Sequence, residues 1–357
     1  MSKAIRIALK GAAWYWPCRL SDSLINRRRA TADKRILIVR HSGKQPYRFG
    51  YFLDWIQQEF PAIRARLELR LLPCRIRDFS PYVLHVPWLQ DPVAEWTPRG
   101  YRQAMELAAQ CEARGIPVLN PVDRTAHSIK SECTQRIARA GVRTPRIVPI
   151  GDVKGFRESL GGLEFPLLIR EDRGHGLPAY LVESLADLDR VPIGRFAHPI
   201  ASEYIDVRSS DGLYRKYRYL AAGSGGVTRH LMIGSHWEVR PDNRVRTDSM
   251  RAEELAYLEA PEPNYAALER ARQALEFAVA AFDYSYDRQG RLVVWEANPY
   301  PDLSYPKHPT QRYTFPYVQR SYAAIVRLYL EMAGLPVPRK LDEMLAGQAP
   351  ATSREAA

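Results

Sequence analysis

Residues Ala281-Phe282-Asp283-Tyr284-Ser285-Tyr286-Asp287-Arg288-Gln289-Gly290-Arg291-Leu292-Val293-Val294-Trp295-Glu296-Ala297-Asn298-Pro299-Tyr300-Pro301 decide how this chain is read. Asp287-Arg288-Gln289-Gly290 supplies a tight turn and Leu292-Val293-Val294-Trp295 reads as a buried strand, so Asp283 and Glu296 are expected to meet across an antiparallel pair. Asn298 adds an amide oxygen to the two carboxylates. Hard, oxygen-only donors suit Mg²⁺, which takes a few carboxylates and completes its shell with phosphate oxygens and water; Mn²⁺ accepts the same donors. The alternative is a surface hairpin with solvated acids.

Working outward, 35–40, 67–72 and 82–86 read as strands that alternate with helices over 47–60 and 97–114. Thr97 and Pro98 open the second helix and Gly115 ends it. This alternation predicts an α/β class, with a small Rossmann-like parallel domain over residues 35–122. An α+β unit follows over 123–334. Its helix at 125–140 carries Lys130, and its strand at 165–170 ends in Arg170 and enters a loop with Gly174-His175-Gly176. Glycines after a strand let backbone N–H groups approach a phosphate.

In the segment 212–220, alternation puts Lys216, Arg218 and Leu220 on one face, and two cations buried together need an anion. The strand at 227–233 brings Arg229 and His230, with Trp237 beyond it, toward an acceptor pocket, although a lone histidine also serves as a structural residue. Asn264 is expected to cap a helix over 265–282 that delivers Asp283. The segment 300–309 is expected to pass over the site and 317–332 to close the fold as an amphipathic helix. Residues 335–357 read as a disordered tail.

The chain has 357 residues and a net charge of +12. Half of that excess lies in a basic N-terminal extension, residues 1–34, where eight Lys and Arg stand against Asp22 and Asp33. Arg27-Arg28-Arg29 reads as a solvated face, with contact to a membrane surface, nucleic acid or an acidic partner left open, and Trp14-Tyr15-Trp16 docks on the body or on a partner. Elsewhere the charge is spread thinly, so nucleic-acid binding is not expected. The four cysteines are scattered with no C-x-x-C pair, which argues against zinc and for reduced thiols in a cytoplasmic protein. No apolar run reaches about 18 residues, so no transmembrane segment is expected. Serines lack a G-x-S-x-G elbow.

Glu296-Ala297-Asn298-Pro299, with Asp283 thirteen residues before Glu296, resembles the late hairpin of the ATP-grasp superfamily in the spacing of the D-alanine:D-alanine ligases. The resemblance implies an ATP-grasp fold of two α+β lobes behind the small α/β domain, with ATP and Mg²⁺ as cofactors. It implies a ligase that activates a small-molecule or peptide carboxylate as an acylphosphate and joins it to an amine. A phosphotransferase acting on a hydroxyl, or a nucleotide-binding protein with weak activity, is the alternative. By the same resemblance Asp283, Glu296 and Asn298 hold the metal. Lys130, Arg170, Gly174, His175 and Gly176 meet the phosphates, and Glu203, Tyr204 and Ile205 form the adenine hinge. Lys216, Arg218 and Arg229 offset charge during catalysis. Two positions depart from the pattern: Arg170 stands where a lysine is usual, and Ala281 where the D-alanine ligases carry an arginine. A homodimer is among the assemblies open to such a protein.

Overall fold

Four consecutive apolar residues, Ile36-Leu37-Ile38-Val39, make β1 (Arg35–His41) a strand buried on both faces. It is the centre of a parallel sheet ordered β2-β1-β3, with β2 at Leu67–Leu72 and β3 at Tyr82–Trp88. The computed structural model describes residues 3–27, 33–41, 48–89, 93–174 and 178–347.

The N-terminal segment is a helix, Lys3–Arg27, held on this first sheet. Asp22 pairs with Arg40 at 2.5 Å, both buried, and Asn26 exchanges hydrogen bonds with the Leu69 backbone at 2.9 and 3.2 Å. Tyr15 donates to the Pro73 carbonyl at 3.1 Å. A loose extension would take the Asp22 carboxylate away from the buried Arg40 guanidinium, which is costly. Arg28, Arg29 and the side chains of Trp14 and Arg27 lie outside the described residues.

The second sheet is antiparallel, ordered β4-β7-β5-β6, with β4 at Ile147–Pro149, β5 at Leu167–Glu171, β6 at Ala179–Val182 and β7 at Pro199–Glu203. The third, also antiparallel, is ordered β11-β10-β8-β9, with β8 at Tyr214–Ala222, β9 at Gly225–Gly234, β10 at Val279–Tyr286 and β11 at Leu292–Asn298.

Three sequence expectations change. The helix expected over 265–282 stops at Ala274, and Glu276 turns the chain with φ 58°. The apolar run after it becomes β10, because its residues are buried on both faces of a central strand rather than along one helical stripe. A strand therefore delivers Asp283. Asn264 makes no capping bond; its amide donates to Glu262 at 2.9 Å and to the Tyr286 hydroxyl at 2.6 Å. The helix expected over 125–140 is broken at Ile129, whose extended ψ of 133° separates a 3₁₀ turn, Val122–Ser128, from the α-helix Lys130–Arg139. Residues 335–347 are ordered: the helix Arg339–Leu345 buries Leu341 completely in the core that contains the helix Phe315–Met332.

That core also joins β1 to β8 and β10, so the first sheet and the third share one apolar body. Asn120 pins the junction. Its φ of 49° and 1% exposure are matched by hydrogen bonds from its amide to Val279 O (2.7 Å) and Pro299 O (3.3 Å), and to its Oδ1 from Ala278 N (2.7 Å) and Val279 N (3.2 Å). The two ends of the β10–β11 hairpin are thereby fixed to the segment that follows the first sheet. Among the described residues no helix is long and apolar enough to cross a membrane.

Candidate functional site

The hairpin turn sets the register. Asp283 is the Cα partner of Glu296 on β11 and of Arg218 on β8, so one carboxylate is flanked by another carboxylate and by a guanidinium. Asp283 is 4% exposed, and both its oxygens accept from Arg218, Nε at 2.5 Å and Nη2 at 2.7 Å, with Lys216 Nζ at 3.9 Å. Asn298 lies two residues along β11 from Glu296, on the same face, and its Oδ1 accepts from Tyr300 N at 2.9 Å.

Two β-bulges shape the walls. Asp283 pairs with Glu296 and Tyr284 with Val294, which leaves Trp295 as an extra residue; Trp295 and Glu296 then both face one cavity, and the indole Nε1 donates to Ser285 Oγ at 2.8 Å. On the other side Arg218 pairs with His230 and Tyr219 with Thr228, so Arg229 is the extra residue. Arg229 and His230 both line a second cavity.

The first cavity, about 340 Å³, lies between the second and third sheets. Leu168, Ile205, Val207 and Trp295 give it an apolar part, while Lys130, Arg170, Lys216, Asp283 and Glu296 give it charge. Lys130 opens its helix just after the Ile129 break, is buried, and donates to the carbonyls of Asp172 (3.0 Å) and Gly174 (2.7 Å). Ser131 N and Oγ bind the Asp172 carboxylate at 2.9 and 2.6 Å, so this helix start clamps the loop after β5. Gly174 turns with φ 73°, a conformation open to glycine. His175 and Gly176 lie outside the described residues. Arg170 lines the cavity, and its side chain makes no hydrogen bond or ion pair among the described residues. Tyr204 and Ile205 also line it; Glu203 does not, because its carboxylate accepts from Arg146 N at 3.0 Å and ties β7 to the segment before β4.

The second cavity, about 630 Å³, is bounded by Arg218, Arg229 and His230 and by the segment Pro301–Pro309, whereas Trp237, expected beside Arg229 and His230, lines the first. No carboxylate comes within ion-pair distance of Arg229 among the described residues; its guanidinium donates to Ser304 O at 3.4 Å. Burial, followed by the positive charges of Arg218, Arg229, Lys216 and Arg244, holds the His230 imidazole well below the usual histidine range, so it is neutral. At the far wall Glu254 is held by Arg244 and by the Tyr313 hydroxyl. Arg218 lines this cavity and Asp283 the other, so their ion pair stands where the two meet.

Among the described residues no group of three His, Cys, Asp or Glu side chains surrounds one point. The donor set of Asp283, Glu296 and Asn298 is nonetheless all oxygen and fits a hard cation, which would share Asp283 with Arg218. Sequence reasoning missed Trp295 as a wall, the Asn120 pin and the Glu203–Arg146 tie. Only Asn120 carried a signal, as an Asn-Pro pair ahead of a polar turn.

Three sheets in this order, with a charged cleft between the second and third, form an ATP-grasp fold. The structure is similar to D-alanyl-alanine synthetase A from Vibrio cholerae (TM-score 0.56, 11% identity, 85% of this chain and 98% of that one). It is also similar to the macrocyclase MdnC bound with precursor peptide MdnA from Microcystis aeruginosa (TM-score 0.52, 11% identity, 83% and 99%). A third similar structure is the ATP-grasp ligase PsnB complexed with a minimal precursor, Mg and ADP (TM-score 0.52, 11% identity, 82% and 98%). No family model matches the chain, and no curated protein matches it in sequence.

Proposed function

We propose that this protein is an ATP-dependent ligase that activates a substrate carboxylate as an acylphosphate and joins it to an amine or similar nucleophile. The observation that carries this reading is the pair of cavities meeting at Arg218 and Asp283: one combines an apolar slot with phosphate-type cations, and the other is larger and lined by guanidinium groups.

In this reading the base occupies the slot of Leu168, Ile205 and Trp295, against the backbone near Tyr204, and Arg170 and Lys216 meet the phosphates. Lys130 shapes the Asp172–Gly174 loop from below and adds its charge. Asp283, Glu296 and Asn298 hold Mg²⁺, whose chemistry when bound is to neutralise phosphate oxygens. The substrate carboxylate, oriented by Arg218 and Arg229, attacks the terminal phosphorus and releases ADP; the amine then attacks the acyl carbon and phosphate leaves. Arg229, turned inward by its bulge, takes the charge that an arginine at position 281 would otherwise meet.

Two of the similar structures hold a precursor or precursor peptide, which supports including peptide carboxylates in the substrate class. Product analysis tests the reading. ADP and phosphate should accumulate only when Mg²⁺, a carboxylate and an amine are present together, whereas steady ADP formation with a hydroxyl compound alone would point to a phosphotransferase.

A further inference from the structure

One face of the helix Lys3–Arg27 is anchored through Asp22, Asn26 and Tyr15 to the first sheet. On the other face, exposed apolar side chains follow one another among the described residues. Leu9, Trp16, Leu20 and Leu24 are 57%, 69%, 64% and 51% exposed, and their spacing keeps them on one side of the helix. Ala12, Ala13 and Pro17 between them are exposed as well, so the strip is apolar along about 22 Å. Outside this helix the exposed large apolar residues among the described residues, Tyr51, Val153 and Leu185, are scattered singly, which is ordinary for a surface; a continuous row is not.

Charge selects the occupant. By sequence the helix carries Lys3, Arg6, Lys10, Arg19 and Arg27, and its sole acid, Asp22, faces inward in the ion pair with Arg40. A second copy of this face would set like charges against each other. A nucleic acid would satisfy the cations but leave Leu9, Trp16, Leu20 and Leu24 in water. A helix lying in the plane of an anionic bilayer satisfies both, with apolar side chains and Trp16 at the headgroup boundary and basic groups toward lipid phosphates. We propose that this exposed face of the Lys3–Arg27 helix docks the protein on an anionic lipid surface. The inference is independent of the ligase reading.

The test is co-sedimentation of the full-length protein with phosphatidylcholine vesicles, with and without phosphatidylglycerol. Binding is expected only to the anionic vesicles and should weaken as salt rises. The double variant Trp16→Glu, Leu20→Glu changes two exposed positions, so its circular dichroism should match wild type while its vesicle affinity drops about tenfold or more. Should that variant misfold, Leu24→Gln is expected to shift affinity in the same direction. Absence of binding to anionic vesicles, equal binding to neutral ones, or undiminished binding by the folded variants would overturn the proposal. So would a dimer in size-exclusion chromatography that the double variant abolishes, which would assign the strip to a second copy.

Discussion

Arg218 grips both carboxylate oxygens of Asp283, at 2.5 and 2.7 Å, in a position where Asp283 is 4% exposed. Replacing Arg218 with Met takes away the bidentate partner and leaves that buried carboxylate with Lys216 at 3.9 Å, at a cost of up to about 3–5 kcal/mol. If Asp283 is a metal ligand, Mg²⁺ restores part of the loss. Thermal unfolding of Arg218→Met should therefore rise on adding Mg²⁺ by more than wild type does, and an unmoved midpoint would remove Asp283 from the metal set.

Glu296→Gln keeps the side-chain shape and removes one negative donor. Mg²⁺-dependent turnover should fall by about 10²–10³, the usual cost of deleting one electrostatic element aimed at the reacting charge, with the circular dichroism spectrum unchanged. Turnover at the wild-type rate would separate Glu296 from the chemistry.

Arg170 faces the smaller cavity with no partner among the described residues, so it has no structural duty to lose. Arg170→Ala should weaken ATP binding severalfold and Arg170→Lys should retain most of it, since a point charge partly replaces a guanidinium. Isothermal calorimetry reads both, and an unchanged alanine variant would place Arg170 outside the phosphate site.

His85 is fully buried on β3, with Nδ1 3.2 Å from Leu37 O and no partner for Nε2. Burial depresses its imidazole to about 4, against a weaker opposing pull from the Leu37 carbonyl. The folded state thus binds this proton more weakly than the unfolded chain does. The associated stability is complete above about pH 6.5 and is lost as the pH falls from there to about 4, by roughly 3 kcal/mol in all. Urea unfolding of wild type and His85→Leu across that range should show the acid-side slope flattened in the variant; parallel curves would contradict the assignment.

The Asp283–Glu296 pairing was legible because a four-residue turn and a strongly apolar strand leave one register that buries Val293 and Val294. The bulges were not, since an extra residue at Trp295 or Arg229 leaves no mark in an apolar and polar pattern, yet it decides which cavity each side chain enters. The run after Ala274 was misread because residues spaced for a helical stripe are equally apolar when every position is buried in a central strand. Lys130 was singled out by resemblance, but its burial depends on the break at Ile129 and on carbonyls more than forty positions away, which the sequence does not show. Glu203 was placed in the hinge by resemblance, and its bond from the Arg146 backbone amide left no mark in the sequence.

The central claim is that a carboxylate becomes an acylphosphate in the cavity beside Arg218 and Arg229. Hydroxylamine tests it most directly, because it captures an acylphosphate whatever the natural nucleophile is. Incubating the protein with Mg²⁺, ATP and a panel of amino acids, peptides and hydroxy acids should give a hydroxamate together with equal amounts of ADP and phosphate for at least one carboxylate. Formation of AMP and pyrophosphate, or of a phosphorylated hydroxyl product with no hydroxamate, would contradict the account.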